Sequence, residues 1–391
     1  MLSNKIKDIT PSYTIGISSK VKELIGQGIE IIDLSIGEPD FPTPTAAKEK
    51  AVEAVHSNKT KYDLVPGLLV LRKAIQDKLK LENNITYEIS DIVVSSGAKH
   101  AITNALVALL NHGDEVIIPK PYWVSYPEMV KLVGGTPIFI DTSKENNYKV
   151  TASDIEKAIT PKTKLIFISN PSNPTGAIYT KKELESIVRV CLHHEIFILS
   201  DEIYEKISYV DDFTSIASIS NEAKEITITI NGLSKSAAMT GWRIGYTATN
   251  PTLAKAISTV QGHLVSHPST ISQWAAVSAL TQCGDEIEQM VHTYRARRDA
   301  AVKALTEIAK VDFIYPDGAF YIFIDVSSFK SQLSWEKSFS IAFSDALLSK
   351  EKVAVVPGIA FGLDDYIRIS YACSTESLME GIARLKNLIE N

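Results

Sequence analysis

A lysine set among small residues is the feature of this chain best suited to covalent chemistry. It is Lys235, in Gly232-Leu233-Ser234-Lys235-Ser236-Ala237-Ala238-Met239-Thr240-Gly241-Trp242-Arg243-Ile244-Gly245, just beyond an apolar β-rich run. Sheltered there, its amine loses hydration and its pKa falls, which makes it a better nucleophile toward an aldehyde. Arg243, at the start of the next β-rich run, can return a guanidinium fork to an anion beside that amine. In Ser200-Asp201-Glu202-Ile203-Tyr204 a carboxylate follows an apolar run, the place where open α/β sheets bind ligands. Arg368 lies inside the apolar stretch Tyr366-Ile367-Arg368-Ile369-Ser370, so its charge needs an anion. That anion is either a substrate carboxylate or a structural acid.

Three other stretches sit where strands end, and each also has a plain structural explanation. Asn170-Pro171-Ser172-Asn173-Pro174-Thr175-Gly176 is rich in turn formers, and a tight, cis Asn–Pro turn there could aim a side-chain amide. Ser96-Gly97-Ala98-Lys99 joins a strand to a helix, offering free N–H groups to a phosphate. Pro121-Tyr122-Trp123 follows a strand, and its indole serves either the core or a stack on a flat ligand.

The elements that must position these residues alternate in type. Residues 91–95, 115–118, 164–169, 196–199, 226–230 and 243–247 read as strands. Helical patterns lie between several of them, notably at 99–110 and 181–194. Apolar strands alternating with helices predict a mainly parallel α/β sheet covered on both faces. The last third differs: a long helix at 285–309, β-rich runs around Pro316-Asp317-Gly318, a helix at 335–349, strands at 353–356 and 366–371, then a final helix. That pattern predicts a smaller α+β domain. The first 45 residues, with Pro39, Pro42 and Pro44, are expected to drape over both.

In this order and spacing the motifs resemble the fold-type I, class I aminotransferases, and most of all the bacterial and archaeal aspartate aminotransferases. The resemblance runs from about Ser12 to the last helix. It implies a seven-stranded, mainly parallel sheet in a large domain (47–281), a small domain (282–391) and an N-terminal segment (1–46). It implies pyridoxal 5'-phosphate carried as a Schiff base on Lys235, with Asp201 on the pyridine nitrogen and Tyr204 and Asn173 on the ring's phenolic oxygen. Trp123 would stack on the ring. Gly97, Ala98, Lys99 and Arg243, with Ser234 and Ser236, would form the phosphate cup. Arg368 and the backbone of Gly37 would hold the substrate α-carboxylate beside Trp123 and Asn173. Tyr62, in Lys61-Tyr62-Asp63, matches the tyrosine that reaches a neighbouring subunit's phosphate, so a homodimer is implied.

Specificity rests on fewer residues. Lys99 matches a position that binds the substrate's side-chain carboxylate in one branch of these enzymes, and otherwise it is a first-turn surface lysine. Pro11-Ser12-Tyr13-Thr14 resembles the same branch. Thr10 stands where several relatives carry lysine, and Tyr13 where they carry a smaller residue, so prephenate or broad dicarboxylate activity stays open. The expected reaction is amino transfer from L-aspartate to 2-oxoglutarate. An aromatic or broad-range aminotransferase is the nearest alternative, a carbon–sulfur lyase a further one, and a ligand-sensing regulator the last.

Composition sets the outer limits. The 391 residues are 45% hydrophobic and 22% charged, ordinary for a globular protein with a large core. A net charge of −6 without a basic block argues against nucleic acid as a partner. Cys191, Cys283 and Cys373 are odd in number and lack metal spacing, so neither disulfides nor a metal are expected. No apolar run approaches a membrane span, which predicts a cytoplasmic protein; small-molecule amino-acid and keto-acid substrates are what the resemblance implies. His193-His194, late in a helix, reads as surface, and Cys191 as packed.

Overall fold

The computed structural model describes residues 3–11 and 13–390; Ser12 lies outside them. Its strands are β1 (Ile32–Asp33), β2 (Ile92–Ser95), β3 (Glu115–Pro119), β4 (Thr136–Ile140), β5 (Thr163–Ser169), β6 (Phe197–Asp201) and β7 (Thr227–Gly232). The rest are β8 (Gly245–Ala248), β9 (Asp312–Phe313), β10 (Tyr321–Asp325), β11 (Val353–Ala354), β12 (Val356–Pro357) and β13 (Tyr366–Ser370). Seven form one sheet in the order β2-β8-β7-β6-β5-β3-β4. Every neighbouring pair in it runs parallel except those made by β8, which is antiparallel to both β2 and β7.

Strand alternation explains why these runs are apolar throughout. Ile92 and Val94 face the helices Leu69–Asn83 and Thr270–Gln282, whereas Val93 faces the helices Ala98–Leu109 and Pro251–Leu264. Both faces are therefore dry, as a parallel sheet requires. Helix Lys181–His193 starts at a capping box between Thr180 and Glu183 and buries Leu184, Ile187 and Cys191 against β5 and β6.

Within the large sheet, β4 is the strand the sequence pattern does not announce. It lies at the sheet edge, is half-exposed and contains Pro137, which an edge strand tolerates.

In the C-terminal third, β12, β13, β10 and β9 form a second, antiparallel sheet, and β1 pairs with β11. The expected strand at 353–356 is thus two short ones in different sheets. The helix expected from 335 begins at Phe339, where the Ser338 hydroxyl accepts from the Ile341 N–H and caps it. In the N-terminal segment the Thr10 N–H donates to Glu128, Lys20 pairs with Asp345, and Thr43 donates to the Ala238 carbonyl. The segment also carries an unforeseen helix, Tyr13–Gly26, which buries only Val21. Among the described residues no helix is long and apolar enough to cross a membrane.

Candidate active site

The loops that follow β2, β3, β5, β6 and β7 all emerge at the carboxyl edge of the large sheet. There they meet the N-terminal segment and β10 and β13 of the second sheet around a cleft of about 640 Å³. Gly37, Ala98, Lys99, Trp123, Asn173 and Asp201 line it, as do Tyr204, Ser234, Lys235, Arg243 and Arg368. Eleven of the residues singled out in the sequence therefore converge on one space.

Lys235 stands on the turn after β7, and its ammonium donates to the Gly37 carbonyl. Burial pulls its pKa down from 10.5 to about 8; Arg368 and Arg243 push the same way, and Glu38 and Asp201 oppose them. The amine is thus primed for attack on a carbonyl.

Arg243 precedes β8 instead of opening it. Its backbone is left-handed (φ 59°), and its guanidinium donates to the Thr240 carbonyl. The guanidinium lies against Gly97, where φ is +86° and a Cβ would come within 2.3 Å of Arg243 Nη2. Gly97 therefore backs the arginine and is not itself part of the cleft lining. Gly245 serves the same junction, because a Cβ there would sit 2.3 Å from the Ala98 nitrogen and 2.5 Å from the Gly97 carbonyl carbon. These close approaches bring an arginine to the start of helix Ala98–Leu109, where the Ala98 and Lys99 N–H groups have no partner within the helix.

Gly245→Ala tests that junction. The obstacle is backbone and cannot swing aside, so the variant should lose about 2 kcal/mol or more and melt several degrees lower. Thermal unfolding of the two proteins side by side measures it; equal melting temperatures would show the junction to be slack. Ser236, by contrast, is turned from the cleft: its hydroxyl donates to the Gly232 carbonyl, one helical turn back.

The Asp201-Glu202 pair is split by the pleat. Asp201, 5% exposed, takes a 2.6 Å hydrogen bond from the Tyr126 hydroxyl and a weaker one from the Ile203 N–H. Burial raises its pKa, while Tyr126, Ile203 and Lys235 hold it back. Glu202 points to other neighbours, accepting from the Ser200 and Ser215 hydroxyls, and burial lifts it to about 7. Only Asp201 can serve the cleft. Tyr126 itself stacks on Phe167 and meets Trp123 edge-on. Nothing in the sequence marked it out, because a tyrosine at a helix start reads as core.

Arg368 is 3% exposed, and its partners are neutral: Asn173 Oδ1 at 2.9 Å and the Ser35 carbonyl at 3.2 Å. Its Nε has no hydrogen-bond partner, and no carboxylate is among the groups that shift it. The structural-acid explanation is therefore not met: among the described residues no carboxylate pairs with this buried cation. Asn173 must turn its oxygen to this donor-only group, which leaves its NH₂ free for the cleft. Tyr204 does not stand alone, since its hydroxyl is 2.8 Å from that of Tyr321.

Lys99 is exposed at the mouth, with its ammonium 5.0 Å from the centroid of the Trp123 ring. Burial of the site and Arg243 lower its pKa. Tyr62 is not brought to this cleft; its ring is 90% exposed and rests edge-on against His267. One wall that the sequence did not reveal comes from helix Tyr13–Gly26, through Thr14, Ile15, Ser18 and Lys22.

A sheltered lysine, a buried carboxylate and an arginine packed against a helix start at the carboxyl edge of a seven-stranded α/β sheet define an enzyme of the fold-type I aminotransferase class. The chain belongs to the aminotransferase class I and II family, whose model matches residues 29–385. The aspartate aminotransferase of Bacillus sp. (strain YM-2) is 44% identical over 391 residues, covering 100% of this chain and 99% of that one. A protein of Aquifex aeolicus named "Probable aspartate/prephenate aminotransferase" is 43% identical over 392 residues, covering 100% and 98%. Among solved structures, the aspartate aminotransferase of Thermus thermophilus with maleate superimposes with a TM-score of 0.94 at 37% identity, covering 99% of each chain. That of Rhizobium meliloti gives 0.93 at 38% identity, covering 100% of this chain and 99% of the other.

Proposed function

We propose that this aminotransferase holds pyridoxal 5'-phosphate on Lys235 and moves the amino group of L-aspartate to 2-oxoglutarate. The observation that carries the reading is Arg368: a buried guanidinium without a counter-ion faces the same cleft as the depressed Lys235. The fit to the cofactor is supported by the Gly97–Gly245 approach, which lets the Arg243 guanidinium lie against the helix start, where both would face a phosphate. When bound, the cofactor supplies an aldehyde for amines and a ring that draws electrons from the substrate Cα.

This chain's residues supply the rest. Arg368 grips the α-carboxylate and fixes the direction of the Cα–H bond. Lys235 Nζ, neutral in part near pH 7, takes the Cα proton and later returns one. Asp201, held by Tyr126, would be the carboxylate for the pyridine nitrogen, and Tyr204 and Asn173 would donate to the phenolic oxygen. Trp123 would cover one ring face and keep water from it. The exposed Tyr62 supports a second copy as partner, completing its neighbour's phosphate site.

Aspartate is favoured by Lys99, a cation left over at the mouth once Arg243 and Arg368 have their anions, and by the dicarboxylate in the Thermus structure. Lys99→Ala should cut kcat/KM for aspartate about tenfold or more while changing that for phenylalanine far less. Steady-state rates with both donors check this; aspartate activity that survives unchanged would remove Lys99 from the pocket. An aromatic or broad-range activity is the second reading, favoured by the prephenate in relatives' names and by a Thermus tetra mutant solved with tryptophan. It would use the same Lys235, Asp201 and Arg368.

A further inference from the structure

We propose that Tyr321 is a positioning residue that couples the two halves of the site, linking the guanidinium for the substrate carboxylate to the hydroxyl that faces the cofactor. The inference rests on the reading that Arg368 and Tyr204 have those duties. Tyr321 on β10 is opposite Ser370 on β13, and Phe323 is opposite Arg368. Tyr321 and Arg368 are therefore diagonal neighbours on one face, within reach of each other. The guanidinium carbon lies 4.1 Å from the centroid of the Tyr321 ring, with the Phe361 ring on it at 5.0 Å. The hydroxyl of the same ring is 2.8 Å from the Tyr204 hydroxyl, and Tyr321 is only 1% exposed. One side chain thus touches the substrate-binding cation with its π face and the cofactor-facing tyrosine with its oxygen.

The direction of the coupling follows from donors and acceptors. In the pair as it stands either hydroxyl can donate. Once Tyr204 turns its proton to an acceptor in the cleft, Tyr321 must supply the proton between them. A chain of hydroxyls then polarises along its length and makes Tyr204 the stronger donor. A cation over the ring of Tyr321 strengthens its O–H as a donor, by the same attraction that holds the cation there. A carboxylate arriving on Arg368 offsets that charge and weakens the chain. Occupancy of the carboxylate site is in this way communicated to the phenolic oxygen of the cofactor.

The test uses holoenzyme with two variants and maleate, a dicarboxylate with no amine to react. The readout is the pH midpoint of the long-wavelength absorption band of the lysine-bound cofactor, with and without maleate. Tyr321→Phe removes the hydroxyl and keeps the ring. It should move the midpoint up by about half a pH unit and shrink the maleate-induced change to about half its wild-type size. Tyr321→Met fills the space without a π face, and should in addition weaken maleate binding about three- to tenfold. The charged groups acting on Lys235 are Glu38, Arg368, Arg243 and Asp201, and all of them remain in both variants. A residue that merely fills volume would move neither the midpoint nor its response to maleate. If wild type titrates and Tyr321→Phe is indistinguishable from it with and without maleate, the coupling is overturned. If wild type takes up no pyridoxal phosphate at all, the functional reading falls first.

Discussion

With Lys235 replaced by alanine, transamination should fall by about 10⁴-fold or more, and the cofactor should no longer resist removal by dialysis. Both losses have one cause. The amine is the covalent anchor and also the base for the substrate Cα proton, and general acid–base contributions alone reach about 10²–10⁴-fold. The same residue gives a pH signature in the wild type. With the amine pulled down to about 8, about a tenth of it is neutral at pH 7, against about three in ten thousand at the ordinary 10.5. The sign is fixed by burial: desolvation penalises the charged form, so the nucleophilic form appears at lower pH. Mixing the apoprotein with pyridoxal phosphate in a stopped-flow instrument should show capture speeding up about tenfold per pH unit below 8 and levelling above it. Allowance is made for the aldehyde's own titration. A rate that keeps climbing to pH 10 would mean an unshifted amine, and a Lys235→Ala protein that still transaminates would sink the assignment.

Arg368→Lys should impair substrate use strongly, though less than loss of Lys235, while leaving the cofactor anchored. Lysine keeps the charge but loses the planar fork whose two Nη atoms reach Asn173 and Ser35 now. Removing a bidentate, buried contact to a carboxylate is worth about 3 kcal/mol, or about 10²-fold in kcat/KM for amino donor and keto acid alike. Steady-state kinetics with both half-reactions measure this. A KM for aspartate that stays within about twofold of wild type would return Arg368 to a structural role.

Much of the large-sheet architecture was legible because burial on both faces forces apolar runs, and the turns after them need small or special residues. Lys235, Asn173 and Gly97 stand in such turns and Asp201 ends a strand, and each was visible before any packing was known. Arg368 was visible for the opposite reason, as a charge where the pattern called for none. β4 escaped because an edge strand with Pro137 shows half-burial and no clean period. Helix Tyr13–Gly26 escaped because Gly16 and its serines are weak helix formers and one residue alone is buried.

The chain itself determined which groups could do chemistry, since a lysine among small residues or an arginine among apolar ones is a local anomaly. Packing alone decided which of them meet and what holds them. Tyr126 and Tyr321 look like any core aromatic in the sequence; they acquire a duty only because tertiary contacts place one hydroxyl 2.6 Å from Asp201 and the other 2.8 Å from Tyr204. How far Lys235 is depressed is likewise a product of distance and dielectric, which no spacing of residues specifies. Sequence order supplied the reactive groups, and the fold set their energies.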